Sequence, residues 1–326
     1  MTVSVPRFTA APDPAAALEL RRELERVLVA DLRTFCTVAQ RSLPAAARTA
    51  LLTVDRIDPA RRATPFLYAV HQDLRTALRA QDRAAALVQL DHLVLVGQAD
   101  ELHLDTLRIR PFDGFSPVDE VFTRTIAESD EEGSVPPPRA VDAAVARAAV
   151  LDTERALARL AEVDPDQAGE VAELVAEIVL ADGGPLGITT LRCFGTVQLR
   201  RPPRTGSPAV VRDLMAAVTQ EAAHLALFAM THADPLLHDA HEGRHASPVG
   251  RAPRTPYGIL HATFALARLT RLYARLARAG DPEAAARHAE QRRRFHHGYR
   301  TLLRHARPTE AGHDVLRRCA DLADGS

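Results

Sequence analysis

The segment from Ser207 to Met230 constrains the fold most, because it places a carboxylate on the apolar face of a helix. It reads SPAVVRDLMAAVTQEAAHLALFAM, so Ser207 can cap a helix and the next residue, a proline, suits the first helical position. At about 100° per residue, one apolar stripe contains Val210, Leu214, Val218, Leu225 and Phe228. Glu221 falls in the middle of that stripe. A buried carboxylate is costly unless it is paired or coordinates a metal, so a partner must satisfy Glu221.

A metal is one such partner, because Gln220, Glu221 and His224 form a QExxH pattern. Glu and His at positions i and i+3 can point at the same ion, as in the carboxylate-bridged iron bundles. An HExxH zinc protease instead uses two histidines as ligands and the Glu as base. Here the first histidine is replaced by glutamine, a poor metal ligand, so the zinc-protease arrangement is broken at that position.

A third ligand is offered by a second helix, predicted for TPYGILHATFALARLTRLYARLARAG with Pro256 near its start and Gly280 as its stop. His261 shares one face of this helix with Tyr257, Phe264, Ala265, Arg268 and Leu272. If the two helices pack through these faces, Glu221, His224 and His261 can converge. Two histidines and one carboxylate form the facial triad of non-haem Fe(II) oxygenases. The alternative is that both histidines are core residues satisfied by hydrogen bonds and that Glu221 is paired with an arginine.

Composition excludes several function classes. The 326 residues include no lysine, so a Walker lysine, a Schiff-base lysine and a Ser–Lys dyad are excluded. The net charge of −1 and the absence of tryptophan argue against nucleic acid or a membrane surface as partner. Cys36, Cys193 and Cys319 fit neither a disulfide framework nor a zinc knuckle. Since the first residues also lack the pattern of a signal peptide, we expect a cytoplasmic protein.

The remaining sequence is mostly helical in pattern. Helices are predicted to begin near Pro14, Pro44 and Pro65, and a segment around Arg108 is a candidate short strand. Further helices are predicted over residues 140–163 and 166–180, followed by two short strands on either side of Phe194-Gly195. We therefore expect a mainly α fold (α+β at most), a multi-helix domain with a small β-hairpin beside the helix of the metal site. The predicted regions are 1–127 (N-terminal helical), 128–139 (linker or long loop) and 140–326 (catalytic).

Arginines and histidines near the two helices are further candidates for a site. Arg254 precedes the second helix and Arg268 lies two turns after His261, so either could bind a carboxylate co-substrate through a bidentate pair. The loop between the helices carries histidines at spacings that match no tight metal template: His232, His238, His241 and His245.

The segments QEAAH, DPLLHDA…SPVGRAPRTPYG and ILHATFALARL together resemble the HExxH-motif peptide-modification proteins, which are α-ketoglutarate-dependent HExxH-type peptide β-hydroxylases. The resemblance covers roughly residues 184–322 and is specific only in its motifs, which fall on Glu221, His224, Ser247, Pro248, Arg254, Tyr257, Gly258 and His261. It departs from the family at Gln220, where members usually carry histidine, and in the loop at Gly250 and Ala252, where they often carry Arg and Asp.

The resemblance implies an Fe(II)- and 2-oxoglutarate-dependent oxygenase with a mainly helical fold, acting on ribosomally made peptides or related amino-acid substrates. The expected roles are metal ligation by Glu221, His224 and His261, catalysis by Gln220 and Tyr257, and 2-oxoglutarate binding by Arg254 or Arg268. A homodimer is compatible with the sequence.

Three alternatives remain open: a zinc hydrolase with Glu221 as base, a catalytically inactive peptide-binding relative, and a diiron oxidase. The last would need further carboxylates, and Glu170, Glu173 and Glu177 are expected to form a solvated face.

Overall fold

The computed structural model describes residues 8–129, 135–250 and 252–325. Helices account for most of this part of the chain, which confirms the mainly α prediction. The eleven α-helices among the described residues are α1 (Pro14–Ala39), α2 (Pro44–Val54), α3 (Pro65–Arg79), α4 (Arg83–Gln98), α5 (Pro117–Ser129), α6 (Ala143–Val163), α7 (Pro165–Leu174), α8 (Pro208–Ala233), α9 (Pro256–Arg278), α10 (Ala284–His305) and α11 (Glu310–Asp324). No helix in these ranges is long and apolar enough to cross a membrane.

Proline sets the start of most of these helices. It is the first residue of α1, α2, α3, α5, α7, α8 and α9. At that position its fixed φ angle matches the helix, and its missing N–H is one that the helix would leave unpaired. The helix starts predicted at Pro14, Pro44, Pro65, Pro208 and Pro256 are therefore confirmed.

A four-stranded sheet holds β1 (Arg108–Pro111), β2 (Glu177–Ala181), β3 (Gly187–Thr189) and β4 (Thr196–Arg200) in the order β1-β2-β4-β3. The strand predicted around Arg108 is confirmed as β1. The pair predicted around Phe194-Gly195 is also present, since β3 and β4 are antiparallel with Ile188 opposite Gln198. The pair is not a separate hairpin, because β4 also runs parallel to β2 and β2 runs parallel to β1.

The helix predicted over residues 166–180 is wrong in its second half. α7 ends at Leu174, and Glu177–Ala181 form strand β2, in which all five residues are buried. A short, continuous apolar run such as IVLA suits a strand buried on both faces, and periodicity alone does not distinguish it from a buried helix.

The expectation that Glu177 belongs to a solvated face is also wrong. Glu177 is 1% exposed, and its Oε1 accepts a hydrogen bond from Arg110 Nε at 3.0 Å. Arg108 also pairs with Glu177, and Arg110 reaches the buried Asp119 at 2.7 Å. Glu177 therefore belongs to an ion-pair network that joins β2 to β1 and to the start of α5, which explains how its burial is tolerated.

The chain divides into two compact units. One comprises the described residues within Met1–Leu20, Leu151–Leu174 and Pro202–Ser326; the other comprises those within Arg21–Val150 and Val175–Arg201 and contains the sheet. The linker predicted at 128–139 includes residues 130–134, which lie outside the described residues, so the predicted domain boundaries stay a prediction.

α9 lies at the centre of the first unit. It packs against α8, α10 and α11, and nearly every residue from Ile259 to Leu276 is buried. A helix buried on almost all sides needs small or apolar residues around its whole circumference, which the sequence ILHATFALARL largely supplies. The polar exceptions within it, among them His261 and Arg268, therefore require specific partners.

Candidate functional site

Glu221 is a buried carboxylate that no cationic side chain among the described residues pairs with. Ser207 caps α8 by accepting a hydrogen bond from the Val210 amide, which sets the start of the helix and hence the face on which Glu221 lies. Glu221 is 2% exposed, and Gln220 Nε2 donates a hydrogen bond to its Oε1 at 3.2 Å. Within the described ranges Glu221 makes no salt bridge to an arginine. Burial raises the pKa of Glu221 to about 8, so the carboxyl is mostly protonated at neutral pH when no cation is present.

His224 and His261 meet across the interface between α8 and α9. Their Nδ1 atoms are 3.4 Å apart, and the ring centroids are 5.4 Å apart. Burial lowers the pKa of His224 to about 4, with a smaller contribution from the positive charge of Arg254. Burial and the neighbouring His224 lower the pKa of His261 well below its usual value. Both imidazoles are therefore neutral at pH 7, which is the form that binds metals.

Aromatic rings hold His261 in place. Its ring centroid is 4.4 Å from that of Tyr257 and 4.9 Å from that of Phe228. Burial raises the pKa of Tyr257, and the nearby Thr231 side chain of α8 partly offsets that rise. The sequence reading missed Thr231, which lies seven residues after His224 on the same helix face. This seven-residue spacing could have predicted that Thr231 lies near the site.

One nitrogen of the pair lacks a partner. His261 Nε2 is buried and makes no hydrogen bond in the described part of the chain. An unsatisfied buried donor or acceptor is costly, and such groups are often explained by a bound ion or water.

The two candidate arginines occupy different environments. Arg254 is exposed, and its backbone N–H and C=O pair with those of His245 at 2.9 and 2.8 Å. Arg268 is 1% exposed, donates from Nη1 to Glu170 Oε1 at 2.5 Å, and lies over the ring of Phe264. Arg268 is therefore already engaged by a buried carboxylate.

The expectation that Glu170 faces solvent is wrong. Glu170 is 2% exposed, and its second oxygen accepts a hydrogen bond from the Asp13 amide at 3.2 Å. Its partner Arg268 comes from α9, about a hundred residues away, and no local pattern in the sequence of α7 shows that contact.

A carboxylate and two imidazoles are suitable ligands for a divalent metal. Of the three predicted ligands, however, the structure brings only His224 and His261 into contact. Two nitrogens bound to one metal at about 2.1 Å lie about 3.4 Å apart at tetrahedral angles and about 3.0 Å apart at octahedral angles. The 3.4 Å between the Nδ1 atoms of His224 and His261 equals the first distance and is slightly longer than the second. Glu221 lies one helical turn before His224, on the same helix. Across residues 8–129, 135–250 and 252–325, however, no three His, Cys, Asp or Glu side chains form a group that could hold a metal. The three-ligand assignment stays a prediction.

The other histidines and the cysteines have different surroundings. His241 lies 5.4 Å from the ring of Tyr257, and His245 stacks on His305. All three cysteines are buried with raised thiol pKa values, because burial disfavours the thiolate. None of the cysteines is thus suited to be a nucleophile.

A scan against models of protein families gives no match, and a search of curated proteins finds no significantly similar sequence.

Proposed function

We propose that this chain is an Fe(II)- and 2-oxoglutarate-dependent oxygenase that hydroxylates a peptide or an amino-acid-derived substrate. The observation that carries the proposal is the pair of neutral imidazoles, His224 of α8 and His261 of α9, whose Nδ1 atoms lie 3.4 Å apart. Glu221 is buried on α8, one turn before His224. The resemblance of the QEAAH and ILHATFALARL segments to the peptide β-hydroxylases supplies the reaction class.

In this proposal Glu221, His224 and His261 hold the metal. When bound, iron and 2-oxoglutarate supply the oxidising power for hydroxylation. A divalent cation would lower the pKa of Glu221, because an adjacent positive charge favours the carboxylate. The observed hydrogen bond from Gln220 would then fix the orientation of that carboxylate, as outer hydrogen bonds commonly do for metal ligands.

The remaining residues position the ligands and the co-substrate. Tyr257 packs on His261 and limits rotation of its ring. Arg254 is the better candidate for the distal carboxylate of 2-oxoglutarate, since its charge already reaches His224 and no carboxylate among the described residues pairs with it. Arg268 is paired with Glu170, so we assign it a structural role in α9. Binding of the distal carboxylate of 2-oxoglutarate is assigned to Arg254.

An anaerobic titration tests the proposal. Fe(II) followed by 2-oxoglutarate should produce the weak visible absorption of an iron–keto acid complex in the wild type. His261→Ala should abolish the absorption, and the matched control His238→Ala, on an exposed loop residue, should retain it. Arg254→Gln should weaken 2-oxoglutarate binding while Fe(II) still binds. Absence of the absorption in a folded, iron-loaded wild type would refute the oxygenase.

A zinc hydrolase is the second candidate, and one observation favours it. Among the candidate ligands in the described part of the chain, the two histidines contact each other, while Glu221 is hydrogen-bonded to Gln220. This suits a carboxylate that acts as base beside a metal held by His224 and His261. Peptide hydrolysis supported by Zn(II), and not by Fe(II), would establish this function. If the folded protein binds neither metal, the catalytically inactive peptide-binding protein remains as the alternative.

A further inference from the structure

A cavity of about 410 Å³ lies along one face of α10. Its size falls in the range of small-molecule sites. The polar residues that line it are His245, His297, Arg300, Thr301, Arg304 and His305. Those on α10 recur at positions i, i+3, i+4, i+7 and i+8, so they share one side of the helix.

The cavity is lined by cationic and donor groups without an acidic counterpart. Its lining, all within the described residues, contains two guanidinium groups, three imidazoles and a hydroxyl, and no Asp or Glu. Arg300 and Arg304 make no salt bridge in the described part of the chain, whereas Arg292 and Arg294 on the same helix pair with Asp324 and Glu290.

Nearby carboxylates are occupied elsewhere. Asp239 and Glu242, on the loop before His245, face Arg307 at 3.6 and 3.3 Å. No carboxylate among the described residues therefore neutralises Arg300 and Arg304, which leaves their donors for a ligand.

One wall of the cavity is well defined. The rings of His245 and His305 stack with centroids 4.4 Å apart and planes 10° apart. The backbone of His245 is fixed by its two hydrogen bonds with Arg254. Close packing of α10 on α9 at Gly298 fixes the helix behind the cavity, since a Cβ at Gly298 would lie 2.3 Å from Thr263 Oγ1.

We propose that this cavity is a binding site for a phosphate-bearing small molecule, held by Arg300 and Arg304 and flanked by the stacked pair His245–His305. Two guanidiniums offer more donors than the two oxygens of one carboxylate accept, whereas a phosphate or pyrophosphate has enough oxygens for both groups. The Thr301 hydroxyl donates to the His297 carbonyl oxygen at 3.0 Å and is not one of these donors. The C-terminal end of α10 disfavours anions, but that effect is weaker than two charge-assisted contacts from arginine. The proposal goes beyond the oxygenase and does not rest on it.

Calorimetric titration with inorganic pyrophosphate at low ionic strength tests the site, since salt screens exposed charges. We expect one saturable site in the wild type and at least tenfold weaker binding in Arg300→Gln/Arg304→Gln. The matched control Arg287→Gln/Arg293→Gln removes the same charge from exposed positions of α10 outside the cavity and should bind like the wild type. If the first double variant does not fold, the single variants Arg300→Gln and Arg304→Gln should each weaken binding.

Three results would overturn the proposal. The wild type could show no saturable binding at millimolar pyrophosphate. Both double variants could lose affinity equally, which would indicate only an effect of net charge. Citrate could bind as tightly as pyrophosphate, which would show a general anion site instead of one for phosphate.

Discussion

Replacing Glu221 by glutamine should stabilise the metal-free protein, and by an amount that depends on pH. In the folded chain Glu221 keeps its proton up to a pKa of about 8, whereas in the unfolded chain it releases the proton near 4.5. Between these values the folded state binds more protons, so the free energy of unfolding falls as the pH rises. This contribution to stability is fully present below pH 4.5 and is lost by about pH 8.

The size of the effect follows from the two pKa values. Each unit corresponds to about 1.4 kcal/mol. Glu221→Gln, which is always neutral, should therefore match the wild type at pH 4.5, exceed its stability by about 3 kcal/mol at pH 7, and exceed it by about 5 kcal/mol above pH 8. The neutral amide keeps the shape of the side chain, so packing changes little.

Urea unfolding in the presence of a chelator measures this difference at several pH values. The control Glu154→Gln removes an exposed carboxylate on α6 and should give a difference close to zero throughout. A difference for Glu221→Gln that does not change between pH 5 and 8 would refute the reasoning, because it would mean that Glu221 is ionised and satisfied in the metal-free fold.

Three further predictions concern the surroundings of the site. Gly298→Ala should destabilise the fold by about 1–3 kcal/mol despite the better helix propensity of alanine, because the added Cβ would lie 2.3 Å from Thr263 Oγ1. Adding Thr263→Ala should restore part of the thermal stability. No recovery would show that the clash lies elsewhere. Glu170→Gln should lower the free energy of unfolding by about 3–5 kcal/mol, because it leaves the buried Arg268 unpaired. The double variant Glu170→Leu/Arg268→Met, which removes both charges, should recover most of that loss in urea unfolding. Equal losses in the two variants would show that the charge is not the cause. The three cysteine thiols should resist a thiol reagent at pH 8 until the protein is unfolded, because burial raises their pKa values. Rapid labelling of the native protein would contradict their burial.

The sequence predicted those parts of the fold that depend on local signals. The helix start at Pro208 follows from Ser207 and the proline after it, and the start at Pro256 follows from that proline. The structure shows Ser207 in its capping role and adds Thr255 as the cap of α9. The meeting of His224 and His261 also follows from local periodicity, because each lies on the packed face of its own helix.

Contacts between distant segments could not be predicted in this way. Glu170 and Glu177 belong to a polar stretch and were assigned to the surface, but arginines from remote elements pair with them. Arg268 lies on the helix face of His261, which is the spacing expected of a residue that binds the co-substrate. The same sequence pattern arises when a buried arginine pairs with another helix, so the sequence alone does not distinguish the two partners. Tertiary partners decided these assignments.

The measurement that tests the central claim most directly is the stoichiometry of Fe(II) binding, under anaerobic conditions, in the wild type and in the single variants Glu221→Gln, His224→Ala and His261→Ala. The account predicts one tightly bound Fe(II) per wild-type chain and loss of that binding in each of the three variants, all of which remain folded. Retention of tight Fe(II) binding by Glu221→Gln would contradict the three-ligand site and leave a metal held by the two histidines alone. No binding by the wild type would contradict the metal site altogether.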